Sequence, residues 1–319
     1  MTLASVLLVI LASFIHASWN LLAKQAASVG AVFVFAYNLV ACVAYAPWVL
    51  YLLAHNTIGW TWKGVGSVVL SGLIHLAYSL CLQRGYQVAD LSVVYPVARG
   101  TGPMLSTLGA ILIFGEMPTG QGLMGLMLVV AGIGLIATQG DLSTFRRPGG
   151  HAGVRWGTAT GGLVASYTVV DAYAVKALGI APVVLDWFSN LLRFLLLAPL
   201  VVANPRRTFI AMRGFWWVAV RVGLLSPLSY ILVLTALTSG APLSLVAPMR
   251  EMSMMVGALM GMLILRETVG PWRLAGCAVL VTGVILLSSA ERPVREQSSK
   301  RTNGEVGSTA ASPGLGARR

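Results

Sequence analysis

The sequence predicts an all-α membrane protein with ten transmembrane helices arranged as two inverted five-helix repeats. Three observations carry this expectation. Of the 319 residues, 57% are hydrophobic and only 10% are charged, against about 25% charged in a typical soluble domain. Apolar runs of about 20 residues, enough to cross a hydrocarbon core about 30 Å thick, recur ten times along the chain. The last five runs repeat features of the first five at a nearly constant offset of 152 positions.

Breaking the apolar runs at charges, Gly-Pro pairs, Asn and Asp places the spans at 2–23, 30–54, 64–83, 91–115, 119–139, 154–176, 182–203, 214–237, 243–265 and 271–290. The first has the length of a signal peptide. It lacks a basic leading region and a small-residue cleavage site, and it contains His16, Trp19 and Asn20, so it reads as a retained helix. Trp60 with Trp62 and Trp216 with Trp217 fall at span edges, where amphipathic indoles settle at the membrane interface. After Ala290 the composition turns to Ser, Gly, Arg, Glu and Pro, and residues 291–319 read as a disordered polar tail. The expected organisation is a first repeat over 1–139, a connecting loop over 140–153, a second repeat over 154–290, and the tail.

Composition also excludes function classes. The net charge of +12 is the excess of 22 basic over 10 acidic residues, and the basic ones are scattered one to three per loop. They form no patch that could track phosphates, so no nucleic-acid partner is expected. Cys42, Cys81 and Cys277 lie within apolar runs and share no CxxC or Cys/His spacing, which leaves neither a disulfide framework nor a metal site. There is no GxSxG elbow, HExxH, Walker loop or Rossmann GxGxxG in context. His16 and Asp171 have the chemistry of an acid/base pair but no nucleophile beside them. No enzyme, catalytic residue or cofactor is expected.

The repeat is visible residue by residue. Lys24 aligns with Lys176, Asn38 with Asn190, Pro47 with Pro199, Tyr78 with Tyr230, Ser92 with Ser244 and Pro96 with Pro248, each 152 positions apart. After a one-residue deletion, Glu116 aligns with Glu267, Gly125 with Gly276 and Gly132 with Gly283. Five spans per copy is an odd number, so the second copy enters the membrane in the opposite sense, an inverted-topology repeat.

The motif His16-Ala-Ser-Trp-Asn20 with Lys24, the run Leu91-Ser-Val-Val-Tyr-Pro-Val-Ala-Arg-Gly100, and the Gly115-Glu116 and Arg266-Glu267 helix ends before Gly-rich spans resemble EamA-type members of the drug/metabolite transporter superfamily over residues 1–290. The resemblance implies a ten-helix, five-plus-five secondary transporter that moves small metabolites, often outward, without ATP hydrolysis. It implies no substrate. Where the first copy has Trp19-Asn20 the second has Asp171-Ala172, so the two halves of a central site differ chemically.

Ionisable side chains within the spans are costly, and each needs a partner, a wet cavity or a role in function. Arg99 lies about 12 Å into span four at roughly 1.5 Å per residue, near the bilayer midplane. Ser92, Tyr95, Arg99 and Ser106 share its helical face, and Pro96, Gly100, Gly102 and Pro103 interrupt the backbone ladder there. Arg250 and Glu251 stand at the equivalent depth in span nine after Pro248, and the offset makes Arg99 and Glu251 symmetry mates able to pair. His16, Trp19 and Asn20 in span one, Tyr167 and Asp171 in span six, His75 and Tyr78 in span three and Tyr230 in span eight complete the candidate substrate-binding set. For His16, Asn20, His75, Tyr78 and Tyr230, an interhelical hydrogen bond of about 0.6 kcal/mol is the competing explanation. Asp186, Asn190 and Arg193 form a stripe that reads as architecture, and Glu116 and Glu267 read as residues fixing the turn into the following helix. Gly122, Gly125, Gly132 and Gly134 permit close helix approach, within the chain or in a homodimer.

Loop charges alone place both termini outside: ten basic residues fall on the opposite side, against eight on the termini side, six of those in the tail. The resemblance implies cytoplasmic termini, which the six-cation tail just after the last span favours. The functional expectation is a secondary transporter, in the exporting direction, for a small anionic or zwitterionic metabolite, sited in the bacterial cytoplasmic membrane with the lipid bilayer as its surroundings. The alternatives are a proton-coupled exporter of cationic drugs using Asp171 or Glu251, and a non-transporting receptor or assembly subunit.

Overall fold

The structure is a computed structural model that describes residues 1–55, 60–88, 91–141, 143, 150–265 and 270–290. Its α-helices, in chain order, are α1 (Leu3–Gln25), α2 (Ala31–His55), α3 (Trp62–Val88), α4 (Leu91–Phe114), α5 (Gly120–Thr138), α6 (Gly150–Lys176), α7 (Pro182–Val202), α8 (Pro205–Ala211), α9 (Trp216–Thr238), α10 (Leu243–Met249), α11 (Met252–Leu265) and α12 (Pro271–Ser289), with a short 3-10 turn at Ala27–Val29. Arg266, Glu267 and the tail from residue 291 lie outside the described residues.

The chain is an integral membrane protein. Among the described residues, eight helices, α1–α5, α7, α9 and α12, are long and apolar enough to cross a bilayer. The other two expected spans depart from that criterion for physical reasons. Helix α6 buries Thr160, Thr168 and Asp171 within the protein, so it does not need an apolar surface all round. The ninth span is broken, and its pieces α10 and α11 have 7 and 14 residues. The interruption that Pro248 marked in the span over 243–265 is thus present, whereas the expected interruption of span four is corrected, because α4 runs unbroken through Pro96 and Pro103. Helix α6 also begins at Gly150, inside the segment read as a connecting loop, and α8 was not anticipated.

Outer and inner faces follow helical periodicity. On α1, Leu3, Leu7, Leu11 and Phe14 are exposed while Val9, Ala12, Ser13 and Ala17 are buried. The main helix contacts fall into matched sets. Helix α6 packs on α4 and α3, and α1 packs on α11 and α9. Helix α7 contacts α3, and α2 contacts α9, while α2 pairs with α7 and α5 with α12. Exchanging each helix of α1–α5 for its counterpart in α6–α12 reproduces this set.

Helices α5 and α12 run antiparallel in close contact. Gly125 meets Gly283 and Gly132 meets Gly276, and a Cβ at Gly132 would come within 2.8 Å of the Gly276 carbonyl oxygen. These glycines thus serve a seam inside the chain, whereas Gly134 faces open space. The turn into α5 is held by Thr119, whose Oγ1 accepts from the Gly122 N–H at 3.1 Å. The Glu116 carboxylate does something else, accepting from the Leu243 and Ser244 N–H groups of α10, each at 2.8 Å.

Candidate functional site

The break in the ninth span creates the most densely charged place in the interior. Proline cannot donate to the helix ladder, and at Pro248 the freed Ser244 carbonyl accepts from Thr107 Oγ1 at 3.5 Å. The chain then tightens, with the Glu251 N–H bonded to the Pro248 carbonyl at 3.0 Å. The Arg250 carbonyl is met by Ser13 Oγ at 3.5 Å. These replacements let a helix interrupt itself in a membrane, because every freed backbone group there needs a partner. The turn buries Arg250 and Glu251 almost completely.

Arg99 on α4 reaches this turn. Its Nη1 lies 3.1 Å from Glu251 Oε2 and 3.5 Å from Oε1, while Nη2 donates to Ser253 Oγ at 3.4 Å and lies 3.5 Å from His16 Nε2. Nε donates to the Tyr95 hydroxyl at 3.4 Å, and the guanidinium sits 5.5 Å from the centre of the Tyr95 ring. Arg250 Nε stands 3.7 Å from Glu251 Oε1, too long for a hydrogen bond. A single carboxylate thus faces two guanidinium groups.

A second cluster surrounds Asp171 on α6. His75 Nε2 lies 3.2 Å from Asp171 Oδ2, and the Tyr230 hydroxyl donates to the same oxygen. The Tyr167 ring stacks on His75 at 3.9 Å, with Tyr78 edge-on to it at 5.8 Å. Among the described residues, buried Asp171 Oδ1 and Arg250 Nε lack hydrogen-bond partners. Buried polar atoms are rarely left so, and a guest molecule or water would satisfy both.

Arg99, Tyr95, Glu251, Arg250 and His16 therefore form one group, and Asp171, His75, Tyr167, Tyr78 and Tyr230 a second on helices packed against it. His16 joins Arg99 rather than Asp171, which removes the His16–Asp171 pairing. Trp19 stands edge-on to His16 at 4.9 Å and donates to Ser229 Oγ at 3.2 Å. Asn20 spends its amide on the His16 carbonyl of its own helix, at 2.7 Å. Asp186, Asn190 and Arg193 bond to one another along α7. Sequence reasoning missed Ser13, Thr107 and Ser253. Hydroxyls in apolar helices commonly bond their own backbone, so nothing in the pattern marked these three.

Among the described residues the protein is helical, with opposed ionised groups buried between its helices. Residues 3–138 match the sequence model of the EamA-like transporter family, the family that the motifs of this half resemble. A solved structure described in print as "Crystal structure of protein" aligns with a TM-score of 0.69, covering 90% of this chain and 96% of that chain at 17% identity. At that identity the likeness speaks for the fold.

Proposed function

We propose that the chain is a secondary transporter, an exporter, of a small anionic or zwitterionic metabolite in the bacterial cytoplasmic membrane, working by alternating access between two inverted five-helix halves. The matched helix contacts and the antiparallel α5–α12 seam support the two-half reading. One observation carries the substrate reading: the buried Glu251 carboxylate lies between Arg99 and Arg250, and Arg250 Nε has no hydrogen-bond partner among the described residues. A substrate carboxylate competes with Glu251 for the guanidinium groups, which bind carboxylates through two parallel hydrogen bonds. Flux through the reconstituted protein, measured with amino acids, organic acids and cationic dyes, tests this. Carboxylate-bearing solutes are expected to move, and Arg99→Lys, which keeps the charge but loses the planar fork, should weaken their binding more than it lowers stability. Movement of the dyes alone would turn the reading to a cation exporter. No flux from well-folded protein would turn it to a non-transporting subunit.

Asp171 supports a second element, proton coupling. Its Oδ1 has no hydrogen-bond partner among the described residues and its Oδ2 is shared by His75 and Tyr230. Asp171→Asn is expected to abolish the pH dependence of flux while retaining substrate binding. An unchanged pH profile would place the coupling elsewhere.

A further inference from the structure

Glu116 stands in the connection after α4, outside the membrane-spanning helices, yet its contacts converge on the site. Its two carboxylate oxygens accept from the N–H groups of Leu243 and Ser244, which open α10. Backbone donors in a first helical turn have no partner within their own helix. Lys176, the last residue of α6, lies 3.2 Å from Glu116 Oε1, reaches the Ala241 carbonyl at 3.5 Å, and sits over the Phe114 ring that ends α4 at 5.2 Å. One carboxylate thereby ties together the ends of three helices. Helix α4 carries Arg99, α6 carries Asp171, and α10 leads directly into Arg250 and Glu251.

We infer that Glu116 is a positioning residue of the site: it clamps the start of α10 to the end of α6, holds Arg250 and Glu251 opposite Arg99, and closes that end of the molecule to water. The hydrogen bonds and ion pair of the clamp lie at a helix end, directly over the buried Ala241, Leu243 and Val246. The clamp stays formed at neutral pH. Burial works to raise the Glu116 pKa, but the donors on Ser244 and Leu243 and the Lys176 charge outweigh it and bring the pKa below the usual carboxylate value. Its role in a transport cycle rests on the transporter reading. The clamp itself is tested without any substrate.

The test uses the purified full-length chain in detergent, with Cys42, Cys81 and Cys277 replaced by Ala and one reporter cysteine added. Ala241→Cys reports on the clamped end, where the residue is buried. Ala219→Cys, a buried position near the other end of α9, is the control. Glu116→Gln, which keeps the shape but can accept only one of the two N–H bonds and loses the ion pair, should raise maleimide labelling at Ala241→Cys about tenfold, the scale expected from losing hydrogen bonds to a charged group. Labelling at Ala219→Cys should stay unchanged, Glu116→Asp should restore slow labelling in part, and Lys176→Met should give an intermediate rate. Should Glu116→Gln fail to fold, the Lys176→Met rate decides alone. Equal labelling of parent and variants at Ala241→Cys would overturn the inference, as would a parallel rise at Ala219→Cys, which would mean general loosening. Failed flux with an intact labelling response would count against the transporter reading and leave the clamp standing.

Discussion

Helix α4 and the α10–α11 pair stand at matching places in the repeat, each with a proline at the same register, yet α4 is continuous and its counterpart is broken. Proline alone therefore does not decide the break, since α4 accommodates both Pro96 and Pro103. The broken segment has what an interruption requires: Thr107 meets the carbonyl freed at Pro248 and Glu116 meets its opening N–H groups. The α5–α12 seam shows the opposite behaviour, with reciprocal glycine contacts that keep the two copies alike. Symmetry persists where helices only pack. It is lost where ionised groups must be brought together, and that difference marks the site.

The largest effect is expected at the charge pair. Arg99→Ala or Glu251→Ala strands the remaining buried charge, at a cost of about 3–5 kcal/mol, and each should sharply lower folded yield and unfolding temperature. Next comes the seam, where symmetry is purely steric. Gly132→Leu drives a side chain into the Gly276 carbonyl and Leu280, an overpacking worth about 1–3 kcal/mol, whereas Gly134→Ala, with open space around it, should leave unfolding nearly unchanged. Equal effects of the two would contradict the tight seam. The mildest change in stability is expected at the matched prolines. Pro248→Ala restores the ladder donor that the proline withholds from the Ser244 carbonyl and should slow flux severalfold with little change in unfolding temperature, while Pro96→Ala, within a continuous helix, should leave flux nearly intact. If both slow flux alike, the asymmetry is not what organises the site.

Much of this fold was legible because a membrane imposes a simple code: nine of the ten expected spans appear as single helices, displaced by a few residues at their ends. Helix α6 was found through its place in the repeat and its apolar run, although its buried polar residues depress its hydropathy. The break in span nine was only half legible. Pro248 pointed to it, but Pro96 and Pro103 gave an equal signal in α4, and the Thr107 hydroxyl that meets the freed carbonyl comes from α4. The Arg99–Glu251 contact followed from the sequence offset, which puts the two residues at equivalent depth in spans four and nine. Glu116 was misread as a local turn residue because its partners lie 127 and 128 positions further along the chain.

The central claim is that Arg99 and Glu251 act as one paired unit, and a double-mutant cycle on thermal unfolding tests it most directly. Arg99→Met, Glu251→Gln and the combined variant would be compared with the parent as full-length protein in detergent. The account predicts that the double variant is more stable than the summed single effects allow, with a coupling of at least about 1 kcal/mol. Single effects that add to within about 0.5 kcal/mol would contradict the pairing and leave Arg99 as a buried cation held by Tyr95, His16 and Ser253 alone.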